Sequence, residues 1–445
     1  MDHSNRLQRT IGLPQATALY VGAVLGSGVL IVPGLAAEMA GPASLLAWGF
    51  MTLLLFPLAL SMGLLSAKFP NAGGVSYFVT LTFGQKAGAL VGWFFLMSVP
   101  IGAPVAALTG AGYLTAAMGW SEGARIGIAA VMLSFGLLTN VIGMKVAGRV
   151  QIAVVLAIIA VLIVVIAAAF PNIREAHFTP FVPHGWASVG QSAAILFWCF
   201  IGWEAVSHLS EEFVDPKRAA IKGVMIAAVI VGLLYFLTAL ATVGTQSYMK
   251  AGSDASLVWV ISQLMGKWGA LVAGMTGIFI CTTGVIAYTG AASRLAYALS
   301  RQGDAPEWMG RLSERYRTPI SGIAFLALCF IVVLILYGSG AVSLTTLIQL
   351  PNATFILTYL GGCAAGIRLL KGSVWGVLIS WVSFLATAIV FPFVGWAIGY
   401  PFAIVTVFWI VNLVKSRKSS QALYPSAGNR AETAAKTAPC KSALH

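Results

Sequence analysis

The sequence predicts an all-α membrane protein with twelve transmembrane helices, and three observations support this fold class. Of its 445 residues, 59% are hydrophobic and only 9% are charged, whereas roughly a quarter of the residues in a soluble domain are charged. The hydrophobic residues form long blocks, such as 150–170, in which Gln151 is the strongly polar residue. Basic residues fall into the short gaps between these blocks, which is typical of loops that set membrane topology.

Each hydrophobic block is long enough to cross a bilayer, because about 20 residues of helix span a hydrocarbon core of roughly 30 Å. The predicted spans are 11–39, 43–66, 84–114, 124–143, 148–170, 188–212, 219–244, 266–299, 319–337, 342–367, 372–391 and 394–414. Residues 1–10 precede the first span and residues 415–445 follow the last. This tail is rich in Ala, Ser, Lys and Pro without apolar periodicity, so we expect it to be disordered.

The distribution of basic residues predicts that both termini lie in the cytoplasm. If the N-terminus is inside, the Lys and Arg residues that face outwards are Arg125, Arg174, Lys250 and Lys267. The others, out of 26 in total, face the cytoplasm, as the positive-inside rule requires. This placement accounts for the net charge of +13 without a nucleic-acid partner, and it predicts a multi-pass protein of the inner (plasma) membrane.

The five cysteines predict neither a disulfide framework nor a metal site. Four of them lie in apolar stretches, and the spacing contains no CxxC motif or other metal-type pattern. We therefore expect no metal and no cofactor.

Two of the predicted spans carry signals for an interrupted helix. The first contains Gly26, Ser27 and Gly28 near its centre, which is a denser glycine cluster than helix packing requires. The sixth contains Gly202 among aromatic residues, with Glu204 two positions later. Spans one and six begin two five-helix halves, 11–170 and 188–367, with helices 11 and 12 following at 372–414. Paired interrupted helices at corresponding positions indicate an inverted-repeat transporter with a binding site at the membrane midplane.

At these residues the chain resembles the amino acid–polyamine–organocation (APC) superfamily, whose members have the LeuT-type 5+5 inverted-repeat fold. The resemblance rests on four landmarks in the expected order: Gly26–Val29, Phe69–Tyr77, Glu211–Arg218, and the loop from Arg294 through Gly303–Pro306 to Pro319. Within the superfamily, the run Phe197–His208 is most similar to the bacterial methionine and branched-chain amino-acid exporters. Export by a bacterial secondary transporter is implied by this resemblance alone.

The resemblance also implies roles for the residues of both breaks. Ser27 and Gly28, beside Gly26, would donate backbone N–H groups to a substrate carboxylate at a helix N-terminus. Carbonyl groups near Val24 and in the second break would accept the substrate ammonium. Trp198 falls at the position of a gating aromatic residue and Tyr288 at that of a site-lining aromatic residue. The predicted substrate-binding residues are therefore Val24, Gly26, Ser27, Gly28, Trp198, Cys199, Phe200, Ile201, Gly202 and Tyr288.

Glu204 is the carboxylate that lies well inside the apolar blocks, where a buried charge is costly and functional by default unless the group is held neutral. His208 lies one helical turn further on the same face. We predict that Glu204 and His208 form a pair that couples transport to protons. The alternative is a structural lock between helix six and a neighbour. Thr282 and Thr283 leave a sodium site open as a second form of coupling, although such hydroxyls usually bond to their own helix.

The predicted substrate is a neutral hydrophobic L-amino acid such as methionine, leucine, isoleucine or valine. Glu204 is the acidic residue that stands well inside the apolar blocks, and no basic residue lies near their centres, so a charged substrate side chain would lack a partner. An apolar pocket is predicted instead, formed by Phe95, Met97, Val99, Phe200 and Tyr288. The sequence contains no continuous polar pore lining, which a channel requires, and no set of reactive residues, which an enzyme requires. We therefore predict neither a channel nor an enzyme. An importer or antiporter of the same fold stays open, and so does a membrane sensor that does not transport.

Overall fold

The computed structural model describes residues 12–69, 74–142, 148–204, 214–250, 256–316 and 318–423, and in these residues it contains helices and no strands. We number the longer helices α1 Leu13–Val24, α2 Gly28–Ala40, α3 Ser44–Lys68, α4 Gly74–Phe83, α5 Gln85–Met118, α6 Glu122–Ile142, α7 Gly148–Ala169, α8 Trp186–Leu196, α9 Val224–Thr245, α10 Ser256–Arg301, α11 Ile320–Gly338, α12 Leu344–Leu369, α13 Val374–Val390 and α14 Gly399–Leu423. Shorter helical turns join several of them.

Nine helical runs in the described part of the chain are long and apolar enough to cross a membrane. This number differs from the twelve predicted spans for physical reasons. The run Gly28–Lys68 includes Gly41, whose φ of 59° and ψ of −143° end α2 before α3 begins. The run Val374–Leu413 includes Gly395, which has φ 66° and ψ −135°. The sixth predicted span is missing from the nine because α8 has only 11 residues before the helix is interrupted.

Glycines allow α5 and α10 to pack closely along their length. A Cβ atom at Gly110 of α5 would lie 2.8 Å from the Cβ atom of Cys281 and 2.9 Å from the carbonyl oxygen of Gly277 on α10. At Gly274 of α10, a Cβ atom would lie 2.9 Å from the Cα atom of Leu114. Helices in a membrane associate through such close backbone contacts, because no hydrophobic effect drives helices together within lipid.

Replacing Gly110 by alanine is therefore expected to destabilise the protein by about 1–3 kcal/mol, since the added methyl group overfills a tight helix contact. Thermal unfolding of the purified protein in detergent measures the effect. The control is Gly127→Ala on α6, where a Cβ atom meets nothing within 4 Å. If Gly110→Ala unfolds at the same temperature as the control, the close contact does not stabilise the fold.

Arg125, predicted to face outwards, is a buried side chain of α6 with 7% of its surface exposed. Its Nε atom donates to the carbonyl oxygen of Leu108 on α5 at 3.0 Å, and its Nη1 atom lies 3.5 Å from the Glu122 carboxylate. The arginine fits because Gly112 has no side chain: a Cβ atom there would lie 2.9 Å from the guanidinium carbon. Arg125 thus connects α5 to the start of α6.

The helices that carry the predicted site pack against one another within the unit that extends to Ile398. In this unit, α2 contacts α8 and α9, and α12 contacts α5. Helix α14 belongs to a second unit that begins at Gly399. It is a continuous helix of 25 residues, whose first half is apolar and whose second half contains Lys415, Arg417 and Lys418.

Candidate functional site

The first helix break lies between α1 and α2, at the glycine cluster that the sequence indicated. The N–H group of Leu25 donates to Val21 in the last regular turn of α1, and the N–H group of Gly26 folds back onto the carbonyl oxygen of Val24 at 2.7 Å. Helix α2 begins at Gly28, and Ser27 precedes it without a side-chain capping hydrogen bond. The predicted interruption is thus confirmed. The N–H groups at the very start of α2 have no acceptor in a preceding helical turn, whereas that of Leu30 donates to the carbonyl oxygen of Ser27 at 3.2 Å.

The second break follows α8. The chain tightens into a 3-10 turn at Phe197–Phe200, and Ile201 then adopts an extended conformation with φ −75° and ψ 141°. Gly202 has φ 130°, a value that a residue with a side chain adopts only under strain. The interruption predicted around Gly202 is therefore also confirmed, and a glycine is needed where the chain changes direction.

Asn352 on α12 bonds to the chain at the second break, a role that sequence analysis did not predict. Its Nδ2 atom donates to the carbonyl oxygens of Ala194 at 2.8 Å and Ile195 at 3.3 Å. These carbonyl groups lie at the end of α8, where the change from α-helical to 3-10 winding alters the hydrogen-bond partners of the backbone. The amide side chain thus adds a donor to carbonyl groups that also accept the backbone N–H group of Phe197, and it connects α12 to the end of α8.

The two breaks are in direct contact with each other. A Cβ atom at Gly28 would lie 3.0 Å from the Sγ atom and 3.1 Å from the Cα atom of Cys199, and 3.2 Å from the Cδ1 atom of Trp198. The structure therefore brings the beginning of α2 against the 3-10 turn of the second break. A side chain at position 28 would force Cys199 and Trp198 to move by a few tenths of an ångström.

Tyr235 on α9 joins the two breaks, and sequence reasoning missed it. Its buried hydroxyl group lies 2.7 Å from the carbonyl oxygen of Val24 and 3.0 Å from that of Cys199. The only sequence signal is a hydroxyl-bearing aromatic residue in an otherwise apolar helix, which does not reveal its partners.

Four aromatic rings from four different elements meet beside the breaks, and we call Phe95, Trp198, Tyr288 and Phe355 the aromatic cluster. Phe95 stacks on Tyr288 with ring centroids 6.3 Å apart and meets the edge of Phe355 at 6.0 Å. Phe355 also meets Trp198 at 6.5 Å. Gly102 of α5 borders the cluster, because a Cβ atom there would lie 3.0 Å from the Cη2 atom of Trp198. The predicted residues Phe95 and Tyr288 are thus brought together, and Phe355 is an addition.

The side chain of Phe200 contacts aromatic residues that are not members of the aromatic cluster. It is fully buried, and its ring contacts Trp48 at 6.3 Å and Tyr235 at 5.6 Å. Of the other residues predicted to line an apolar pocket, Val99 is buried and Met97 is half-buried.

Glu204 is buried beyond the second break, with 2% of its surface exposed. Its Oε2 atom accepts a hydrogen bond from the N–H group of Gly202 at 2.9 Å and another from the hydroxyl group of Tyr359 on α12. Tyr359 was not predicted. His208, the predicted partner of Glu204, lies outside the described residues. Arg125 and Glu204 are the buried charged side chains in the part of the chain that the structure describes.

The hydroxyl group of Thr283 on α10 donates to the carbonyl oxygen of Phe279, four residues earlier, at 2.9 Å. This contact within one helix is the ordinary arrangement of a threonine in a membrane helix. It is the arrangement expected if the Thr283 hydroxyl group bonds to its own helix rather than to a sodium ion.

Comparison with known proteins shows the family to which this architecture belongs. A family model described as amino acid permease matches residues 11–414. The chain belongs to the amino acid permease family. This result confirms the resemblance to the APC superfamily, of which the chain is a multi-pass membrane member.

Two relatives are similar to this permease over most of their length. The uncharacterized amino acid permease YecA of Bacillus subtilis (strain 168) is 39% identical over 398 residues, which cover 89% of this chain and 93% of YecA. The L-methionine/branched-chain amino acid exporter YjeH of Escherichia coli (strain K12) is 31% identical over 421 residues, which cover 93% of this chain and 98% of YjeH.

A more distant relative is the branched-chain amino acid permease BcaP of Bacillus subtilis, which is 25% identical over 333 residues and covers 70% of this chain. These proteins are named as permeases and exporters rather than as enzymes, in agreement with the prediction that the chain is not an enzyme. The permease therefore acts in amino-acid transport across a membrane.

Proposed function

We propose that this permease is a secondary active transporter that exports neutral hydrophobic L-amino acids, namely methionine, leucine, isoleucine and valine, by alternating access coupled to protons. One observation carries the proposal: the contact between the two helix breaks at Gly28 and Cys199. Where two broken helices meet inside a membrane, unpaired N–H donors and unpaired carbonyl acceptors lie close together.

The breaks supply complementary partners for the two charged groups of an amino acid. The start of α2, at Ser27 and Gly28 beside Gly26, offers N–H groups and the positive end of a helix dipole to the carboxylate. Carbonyl groups of the second break, from Trp198 through Cys199, Phe200 and Ile201 to Gly202, offer acceptors to the ammonium. The oxygen atom of Val24 already accepts hydrogen bonds from Gly26 and Tyr235, so we assign it a supporting role.

The aromatic cluster is the proposed pocket for the substrate side chain. Its rings are apolar, and Trp198, Tyr288 and Phe95 are half-buried rather than fully enclosed. Thioether sulfur makes favourable contacts with aromatic rings, and branched aliphatic side chains fill an apolar pocket equally well. The names of YjeH and BcaP, which include methionine and branched-chain amino acids, support the same substrate class.

Glu204 is the proposed proton carrier. It lies at the second break, and the bonds from Gly202 and Tyr359 to one oxygen atom tie its side chain to the backbone that shapes the site. Protonation or deprotonation would therefore act on the break itself. His208 remains the predicted second member of the pair, and sodium coupling through α10 is the alternative.

The proposed architecture comprises twelve transmembrane helices arranged as two inverted five-helix repeats, 11–170 and 188–367, with helices 11 and 12 at 372–414. The N-terminal residues 1–10 and the tail at 415–445 lie on the cytoplasmic side of a bacterial plasma membrane. The alternative function is import or exchange by the same fold. A sensor that binds an amino acid without moving it ranks third.

Counterflow in proteoliposomes tests the proposal. Purified protein is reconstituted into vesicles loaded with unlabelled methionine, and entry of labelled methionine, leucine, arginine and glutamate is followed at several pH values, with and without sodium. We expect saturable entry of methionine and leucine, no entry of arginine or glutamate, and no requirement for sodium. Binding without entry would indicate a sensor.

Export is tested separately, because deletion of an exporter raises the sensitivity of cells to excess methionine, whereas deletion of an importer lowers it.

A further inference from the structure

None of the roles proposed so far accounts for the position of Tyr235 between the two breaks. Its hydroxyl group lies between two carbonyl oxygens that belong to different breaks, that of Val24 at the end of α1 and that of Cys199 in the second break. Its ring is fully buried and makes edge-to-face contacts with Trp48, at 5.7 Å, and Phe200, at 5.6 Å. The hydroxyl group is therefore fixed in place by packing and cannot turn away from the two carbonyl groups.

A tyrosine hydroxyl group has one hydrogen atom to donate, although two acceptors lie within reach. When this hydrogen points to Cys199, the oxygen of Val24 still accepts the N–H group of Gly26 at 2.7 Å. When it points to Val24, the Cys199 carbonyl is left free to accept a different donor. In this second arrangement, the Cys199 carbonyl oxygen beside Tyr235 can accept one additional hydrogen-bond donor.

We propose that Tyr235 is a positioning residue for the substrate ammonium: its hydroxyl group holds the Cys199 carbonyl in place in the empty site and turns its hydrogen to Val24 when the ammonium binds. The inference rests on the proposed function. The hydroxyl oxygen also has lone pairs that accept an N–H donor. An ammonium group at this point would then meet the oxygen atoms of Cys199 and Tyr235 together, which suits a group with three N–H donors.

The test compares the affinity for methionine with that for its α-hydroxy acid analogue, in which a hydroxyl group replaces the ammonium. Competition against labelled methionine binding to the purified full-length protein gives both values. In Tyr235→Phe, we expect the affinity for methionine to fall about tenfold, since one well-placed hydrogen-bonding group contributes an effect of this size. The affinity for the analogue should change less than about twofold, because that molecule has no ammonium to position.

Tyr113→Phe is the matched control. Tyr113 on α5 is also buried, and its hydroxyl group also donates to a backbone carbonyl, that of Leu30 in α2. Since Leu30 lies beyond the break, loss of this hydroxyl group should leave the ratio of the two affinities unchanged. A purely structural effect at position 235 would weaken the binding of methionine and of the analogue by the same factor.

A second variant guards against a folding defect in Tyr235→Phe. Incorporation of 4-aminophenylalanine at position 235 returns a hydrogen-bond donor to the same place on the ring, and it should restore the wild-type ratio. The inference would be overturned if Tyr235→Phe left the ratio of the two affinities unchanged, whether both affinities fell equally or neither fell. It would also be overturned if 4-aminophenylalanine did not restore a changed ratio. If the wild-type protein does not bind methionine at all, the proposed function fails first and the inference fails with it.

Discussion

Gly28→Val is expected to abolish measurable methionine counterflow, and Gly28→Ala is expected to reduce it in part. A Cβ atom at this position would lie 3.0 to 3.2 Å from atoms of Cys199 and Trp198, so alanine forces the two breaks apart slightly and valine more. Overpacking of this kind costs about 1–3 kcal/mol, which corresponds to roughly five- to 150-fold in binding or rate. Initial rates of counterflow in proteoliposomes measure the effect.

Gly49→Ala is the control for this experiment. Gly49 lies within α3, and a Cβ atom there meets nothing nearer than the ring of Phe236 at 4.0 Å. We expect this variant to transport methionine at a rate within about twofold of the wild type, since it adds a methyl group without a clash. Wild-type counterflow in Gly28→Val would mean that the contact between the breaks is not the binding site, and the proposed function would lose its main support.

Glu204→Gln should separate substrate exchange from proton coupling. Glutamine retains an oxygen atom that accepts from Gly202 and Tyr359, but it has no proton to release or take up in the physiological pH range. We therefore expect counterflow of methionine to persist, while accumulation driven by a pH gradient falls to the level seen without a gradient. Both are measured in the same proteoliposomes, with and without an imposed gradient.

The control carboxylate is Glu307, an exposed residue of the short turn Glu307–Gly310. Glu307→Gln removes a charge of the same type without affecting the breaks, so accumulation driven by the gradient should equal that of the wild type. If Glu204→Gln also accumulates methionine in response to the gradient, the residue is a structural lock between the second break and α12, and the proton carrier lies elsewhere.

The helix breaks could be predicted because their cause is local. Gly26 and Gly28 have no side chain and a low helix propensity. Gly202 adopts a φ value that favours glycine. Both properties depend on residue type and on a few neighbours along the chain. The predicted positions therefore agree with the structure, although the sequence did not indicate that Gly28 would contact Cys199.

Partners from distant helices could not be predicted for the opposite reason. Tyr235, Tyr359 and Asn352 bond to the breaks from α9 and α12, between 36 and 211 residues away along the chain. In a helix surrounded by apolar neighbours, hydropathy does not distinguish the side that faces protein from the side that faces lipid. Hydropathy likewise did not indicate that the ring of Phe200, which was predicted to line an apolar pocket, packs against Trp48 and Tyr235.

The amino-acid sequence was sufficient to predict that this protein lies in a membrane, that it is helical and that two of its helices are interrupted. Composition and local backbone preferences are sufficient for these conclusions, since lipid requires every backbone group to be paired within a helix unless a break is compensated. The groups that compensate the breaks, and the aromatic rings that meet beside them, became apparent in the folded structure. Which groups meet depends on how helices rotate and pack against one another, and helix packing is set by contacts between residues far apart in the chain.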